Sequence, residues 1–333
     1  MKQNFKVALV GCGTISKNHL TALNSLQNVE IVALCDIDHE KAVNRVKEFE
    51  LNANVYTCYS KMLKRENPDV VHICTPHYLH SQMAIEALEQ DIYVFLEKPV
   101  AISCEEIRDI IAAEQKSRAS ACVCFQNRFS PSIIKAAEFI AEDGGADFAY
   151  ATVFWDRGEK YYTESGWRGS YATEGGGVMI NQAVHTLDLL CQLLGEPETV
   201  SAKIANHHLR GIIEVEDSCG GMIRHKGGAI SNFYATTAAS GISSTVLYVK
   251  TCQERVVEVR NFKLYLNGVY IDTKESDICI GKACYGSGHA FLIEKFYDAL
   301  LNEKVMPVTV QSASDAVKLL LAAYRSNGED III

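Results

Sequence analysis

The chain has 333 residues, 48% hydrophobic and 22% charged, which is enough for two domains with sizeable cores. Lys and Arg number 32 against 41 Asp and Glu, and the resulting net charge of −9 argues against a nucleic-acid partner and against a polybasic membrane surface. No stretch approaches the ~18 uninterrupted apolar residues of a membrane helix.

The first residues, 1–10, read as a buried strand and not as a secretion signal. The 12 cysteines form no Cys-x-x-Cys and no zinc spacing. Most lie in apolar runs, where a thiol behaves as a small core group. A reducing, cytoplasmic setting follows as an expectation, and no metal is expected.

Short β-rich runs at 5–10, 29–35, 69–74, 92–97 and 121–125 alternate with helical spacing at about 14–27, 39–50, 77–90 and 103–118. Apolar strands between amphipathic helices predict a parallel sheet covered on both faces. Right-handed crossovers make it a doubly wound, nucleotide-binding domain over 1–125. A second domain, 126–333, begins with helical spacing at 131–142 and a strand at 146–155. A loop rich in Gly, Tyr and Trp leads to 178–194, read as one helix stopped by Gly195 and Pro197. Strand-like runs then fill 199–273, with a hairpin at Asn267-Gly268, and favour an antiparallel sheet. Helices at about 288–303 and 311–326 close the chain.

The first strand runs into Gly11-Cys12-Gly13-Thr14-Ile15-Ser16. Gly11 would permit a tight turn and Gly13 would admit a pyrophosphate. Thr14 and Ile15 would open the helix whose N-terminus faces the negative charge. Ser16 stands where the dinucleotide fingerprint has a third small residue. Asp36 ends the second run, 25 residues after Gly11, at the place of the acid that holds a ribose diol. A carboxylate there repels a 2′-phosphate and favours NAD over NADP. A plain strand–turn–helix, with Asp36 as a helix cap, is the bland alternative, although Asp38 is the better cap. Thr75 and Pro76, directly after a strand, also sit at the ligand-bearing edge; Pro76 could equally be a first helical residue.

Glu97-Lys98-Pro99 follows the run IYVFL at the same edge. Glu97 and Lys98 are therefore counted with the cofactor contacts, and Lys98 could polarise a substrate oxygen. Alone, a strand-end Lys is an ordinary surface residue. Asn181 and His185 are i and i+4 on the predicted helix, behind a triple glycine, and would share a face. His185 there is either a core histidine or an oriented acid/base. Asn127, Arg128, Trp167 and Arg168 are further candidates for binding substrate, since aromatic rings stack on sugar faces and Arg pairs with carboxylate or phosphate. A packed loop with surface arginines explains them as well. His77, His80 and His289 are weaker candidates, and His207-His208 has no partner at metal spacing.

The segments VGCGTIS, CTPHYLH, LEKP, QNRFSP and GWRGSYATEGGGVMINQAVHTLDLL, with the Asp36 strand end, are together similar to the glucose–fructose oxidoreductase / inositol dehydrogenase (Gfo/Idh/MocA) family. The likeness covers residues 5 to about 195, and 285–300 more loosely. It implies a Rossmann domain followed by an α/β domain with an open, mostly antiparallel sheet that often joins subunits, here as a homodimer or homotetramer. It implies an NAD-dependent oxidoreductase acting on a secondary alcohol of a sugar, cyclitol or nucleotide sugar. Lys98 would hold the reacting oxygen and His185 would take the hydroxyl proton. Asn181 stands where many members have Asp; it can bind substrate or orient Lys98 but cannot relay a proton. Two alternatives remain: an NAD-dependent glycoside hydrolase with a transient redox step, and a non-catalytic dinucleotide-binding regulator.

Overall fold

The computed structural model describes residues 4–274 and 288–333, and these divide into two compact units. Cys279 and Cys284, and the start of the 285–300 segment, lie outside the described residues.

The first unit comprises residues 4–101, 105–126 and 288–313. Six parallel strands form its sheet: β1 (Phe5–Val10), β2 (Val29–Cys35), β3 (Asn54–Tyr56), β4 (Val70–Ile73), β5 (Tyr93–Leu96) and β6 (Ala121–Val123). Their order is β3-β2-β1-β4-β5-β6. Helices α1 (Ser16–Ser25), α2 (His39–Glu48), α3 (Tyr59–Glu66), α4 (His80–Leu88) and α5 (Cys104–Lys116) connect them. Val7, Leu9, Val71, Ile73, Val94 and Phe95 are fully buried, which is why these strands are apolar on both faces instead of alternating. The order reverses between β1 and β4, and ligands of such sheets collect at the carboxyl ends flanking that switch. Gly11 and Glu97-Lys98 directly follow β1 and β5, and Thr75 is the second residue after β4.

The second unit comprises residues 102–104, 127–274 and 314–333. Helices α6 (Pro131–Glu142), α7 (Glu159–Thr163) and α8 (Val184–Leu194) accompany a nine-stranded sheet. Its strands are β7 (Ala146–Phe154), β8 (Pro197–Ala205), β9 (Ser218–His225), β10 (Ile230–Thr236), β11 (Ser244–Thr251), β12 (Val256–Arg260), β13 (Lys263–Leu266), β14 (Val269–Ile271) and β15 (Ile331–Ile332). The order is β14-β13-β12-β11-β7-β10-β9-β8-β15, antiparallel except for β7 with β10. Helix α8 packs on β7, and its Leu187 and Leu190 are buried. Asn267 and Gly268, both with positive φ, turn β13 into β14 as the dipeptide demands. Two late helices complete the chain, α9 (Gly288–Leu301) in the first unit and α10 (Val310–Ser326), which runs from the first into the second. Among the described residues no helix is long and apolar enough to cross a membrane.

The expectation of one α-helix over 178–194 needs correction. Residues Met179–Ala183 wind as a π-helix, and α8 begins only at Val184. Such wide turns insert a residue into the helical count. The helical run is continuous to Leu194, with Asn181 in the π-helical turn and His185 in α8.

Candidate active site

At the end of β1 the chain turns at Gly11, whose φ is +91°. A Cβ there would lie 2.5 Å from the Cys74 carbonyl oxygen, so only glycine fits against β4. The Asp36 carboxylate accepts hydrogen bonds from the backbone N–H of Cys12 (2.8 Å) and of Asp38 (2.9 Å), which holds the acid beside the turn. Asp38 caps α2 through the N–H groups of Glu40 and Lys41. Arg45 of α2 donates to the Gly13 carbonyl (3.1 Å) and to the Ser16 hydroxyl (3.1 Å). The small residue at 16 thus has a bonding role besides packing, since its own hydroxyl donates to the Gly13 carbonyl at 2.7 Å.

Gly13 is exposed with open space around it, and no side chain caps α1. The first amides of α1 and its dipole therefore face open space beside a fixed carboxylate. That arrangement fits a pyrophosphate next to a ribose diol. Arg45 has no counterpart in the sequence reading, because nothing in the spacing of α2 ties it to the glycine turn.

Glu97 and Lys98 leave the end of β5, and the Lys98-Pro99 peptide is cis. Lys98 is half-buried. Glu97 is buried and ends a chain of polar contacts: Tyr297 hydroxyl to His72 Nε2 (3.0 Å), His72 Nδ1 to His19 Nδ1 (2.9 Å), and His19 Nε2 to Glu97 Oε1 (2.9 Å). One donor direction satisfies every member: Tyr297 donates to His72, His72 to His19, and His19 to an ionised Glu97. His289 Nε2 lies 3.6 Å from the same oxygen. Burial pushes the Glu97 carboxyl up, but hydrogen bonds from His19 and His289 outweigh it and hold the acid well below the usual carboxylate range. Burial lowers His19 and His72, in keeping with neutral rings. His19 comes from the helix that starts at the glycine turn, so this chain ties that helix to the residue preceding Lys98. Cys124 completes a possible ligand trio with His19 and Glu97. Burial holds its thiol well above the ordinary value, so the group reads as a packed hydrogen-bonded core.

In the second unit the buried Glu216 carboxylate accepts the N–H groups of Gly177 and Met179, each at 2.9 Å, and the Tyr324 hydroxyl at 3.0 Å. It anchors the start of the π-helical turn. A Cβ on Gly177 would fall 1.9 Å from the Glu216 carbonyl oxygen. The glycines serve close approach here. Burial raises Glu216 to about 7.

Asn181, buried, donates to Glu174 Oε1 (2.5 Å) and toward the Tyr161 hydroxyl (3.4 Å); Gln182 donates to that hydroxyl at 3.2 Å. Arg168 stacks on Tyr161 (4.5 Å) and Trp167 (4.4 Å), and Arg157 on Tyr161 (5.0 Å) and Trp155 (4.3 Å). Trp167, Arg168 and Asn181 therefore meet around Tyr161, joined by Gln182 and Arg157, which the sequence reading did not single out. His185, partly exposed, opens the first turn of α8 one helical turn after Asn181.

Arg128 is drawn elsewhere. Its guanidinium forks onto the buried Asp188 carboxylate at 2.8 and 2.5 Å. Burial pushes Asp188 up to about 6 against the pull of Arg128. Neighbouring Asn127 is half-buried, and its carbonyl accepts from the Ser130 N–H at 3.2 Å.

Residues 5–125 match the family model described as the oxidoreductase family with an NAD-binding Rossmann fold, and 136–251 match the GFO/IDH/MocA C-terminal domain. Inositol 2-dehydrogenase of Salmonella typhimurium is 31% identical over 137 residues, 40% of this chain and 41% of that protein. D-glucoside 3-dehydrogenase of Escherichia coli is 29% identical over 219 residues, 65% of this chain and 60% of that protein. The aligned stretch thus spans about two fifths of the inositol enzyme's length. The WlbA dehydrogenase of Bordetella pertussis, crystallised with NADH and UDP-GlcNAcA, superposes with a TM-score of 0.88 at 26% identity, over 100% of this chain and 99% of that one. With both domain models matched in order and the fold shared from end to end, the chain belongs to the Gfo/Idh/MocA oxidoreductase family.

Proposed function

We propose that the protein is an NAD-dependent dehydrogenase that moves a hydride between nicotinamide and a secondary alcohol of a sugar, cyclitol or nucleotide sugar. The observation that carries this reading is the anion cradle: an uncapped helix N-terminus, open space at Gly13 and a carboxylate fixed by the Cys12 amide. Gly11, Gly13, Thr14 and Ile15 would hold the pyrophosphate, Asp36 the ribose, and Thr75, Pro76, Glu97 and Lys98 the edge near the nicotinamide. When bound, the nicotinamide accepts or returns the hydride.

The chain's own groups do the rest. Lys98 would hold the reacting oxygen and stabilise negative charge as it develops. His185 would take the hydroxyl proton as general base. Asn181 is bonded to Glu174 and the Tyr161 hydroxyl, so it would shape the substrate surface formed by Tyr161, Trp167 and Arg168 instead of relaying a proton. The same reading makes the protein cytoplasmic and a homodimer or homotetramer joined through the second unit's sheet, where Met222, Tyr234 and Tyr270 are exposed.

The test is absorbance of reduced nicotinamide during incubation with NAD and a panel of polyols, glycosides and nucleotide sugars. Net NADH on at least one member supports the proposal. Glycoside cleavage without net NADH would assign a hydrolase, and NAD binding with no turnover on the whole panel would assign a regulator.

A further inference from the structure

The side chain of His80 is fully buried at the start of α4, and both of its ring nitrogens face backbone carbonyls. Nδ1 lies 2.7 Å from the Pro99 oxygen and Nε2 lies 2.9 Å from the Thr75 oxygen. A carbonyl cannot donate a hydrogen bond, so each short contact needs an N–H on the ring. A neutral imidazole has only one. Turning the ring over would put carbon atoms at the same short distances and leave both oxygens without a donor.

His225 shows the contrast. Its Nδ1 meets the Gly195 carbonyl and its Nε2 meets the Ser231 hydroxyl, which can donate, so a neutral ring satisfies that site. The His19–His72 pair is likewise satisfied by neutral rings.

We infer that His80 is a buried imidazolium whose two N–H groups tie the segment after β4 to the segment after β5, and that it is a positioning residue for Lys98. The charge assignment stands on the two carbonyls alone; the positioning role rests on the dehydrogenase reading above. The two tethered segments carry Thr75-Pro76 and Lys98-Pro99. Holding both carbonyls on one rigid ring fixes the spacing of the cofactor edge and the lysine. Charge-assisted bonds of this kind are roughly twice as strong as neutral ones.

The charged and titratable groups around the ring are Glu97, Lys98 and His77. Burial works against the charge and, with Lys98, outweighs the upward push of the Pro99 and Thr75 carbonyls and the Glu97 charge, so the net pull on the His80 pKa is downward; the proton is assigned on the two short carbonyl contacts, which no neutral ring satisfies. His77 packs its ring 5.7 Å from that of His80. Losing the proton would set a lone pair against a carbonyl and release one of the two segments.

The deciding experiment uses the intact protein with ring nitrogen-15 histidine. At about pH 8, above the ordinary imidazole pKa of about 6.5, both His80 nitrogens should still resonate as protonated. The signal is assigned by its loss in His80→Gln. If that variant does not fold, neutron diffraction on the wild type should show two ring hydrogens. One unprotonated nitrogen on His80 by either method overturns the inference.

Kinetics test the positioning role separately. His80→Gln should lower kcat by roughly tenfold while leaving the NAD dissociation constant within about threefold, because the loss falls on geometry at Lys98. An unchanged kcat would overturn the positioning role. Absence of turnover in the wild type itself would count against the dehydrogenase reading and leave the charge assignment to the nitrogen signals.

Discussion

Glu216 Oε1 accepts a hydrogen bond from the backbone N–H of Met179 at 2.9 Å, deep inside the second unit. That contact holds the first turn of the π-helical segment from a residue 37 positions later, in the loop just before β9. Burial raises the Glu216 carboxyl from 4.5 to about 7, so the native protein binds a proton there that the unfolded chain has already lost. The sign follows: between about pH 4.5 and 7 stability falls as pH rises, by up to about 3 kcal/mol, and levels off above 7. The raised acid Asp188 acts in the same direction, and His19 and His72, lowered by burial, act in the opposite one. The clean measurement is the difference in denaturation free energy between wild type and Glu216→Gln across this range. It should shrink as the proton is retained at low pH; a difference independent of pH would exclude the assignment.

The close approach at Gly177 predicts a steric effect. A methyl group would collide with the Glu216 carbonyl, so Gly177→Ala should cost about 3 kcal/mol or more. The thermal midpoint should drop by roughly 6–12 °C. Gly13→Ala meets open space and should leave that midpoint nearly unchanged while weakening NAD binding.

Arg128 and Asp188 form a buried pair, with side chains 10% and 1% exposed. Removing one partner strands the other. Arg128→Ala should therefore cost about 3–5 kcal/mol in denaturant titration, and Arg128→Met with Asp188→Leu should recover most of it. A substrate role would instead appear as a raised KM in a protein of unchanged stability.

Asp36 is expected to set cofactor choice. Replacing it with Ser removes the charge that would oppose a 2′-phosphate, and the preference for NAD over NADP should fall by roughly 10–100-fold. Dissociation constants for both cofactors, measured by nicotinamide fluorescence, check this.

Much of the first unit was legible because its strands are apolar on both faces and its helices amphipathic, so the two periods separate cleanly. The short strand β3 and helix α3 were not, since a three-residue strand with no buried side chain and an eight-residue helix carry too little pattern. Strand β9 carries Gly220-Gly221, which weakens its alternating pattern; a Cβ on Gly221 would lie 2.6 Å from the Ser201 oxygen of the neighbouring strand. The glycine turn, Asp36 and Lys98 could be found because their chemistry is tied to strand ends. Glu216, Arg45 and the Tyr161 cluster act through partners brought together only by folding. The π-helical turn has the apolar pattern of an α-helix, so spacing alone does not reveal it.

The proposed function has Lys98 and His185 serve a single hydroxyl. Its most direct measurement is kcat of Lys98→Ala, His185→Ala and the double variant on the best substrate of the panel, with NAD binding checked in each. Each single change should lower kcat by ~10²-fold or more, and the double variant should be little worse than the weaker single one, because groups acting as a unit are not additive. Losses that multiply, or singles that turn over like the wild type, would contradict it.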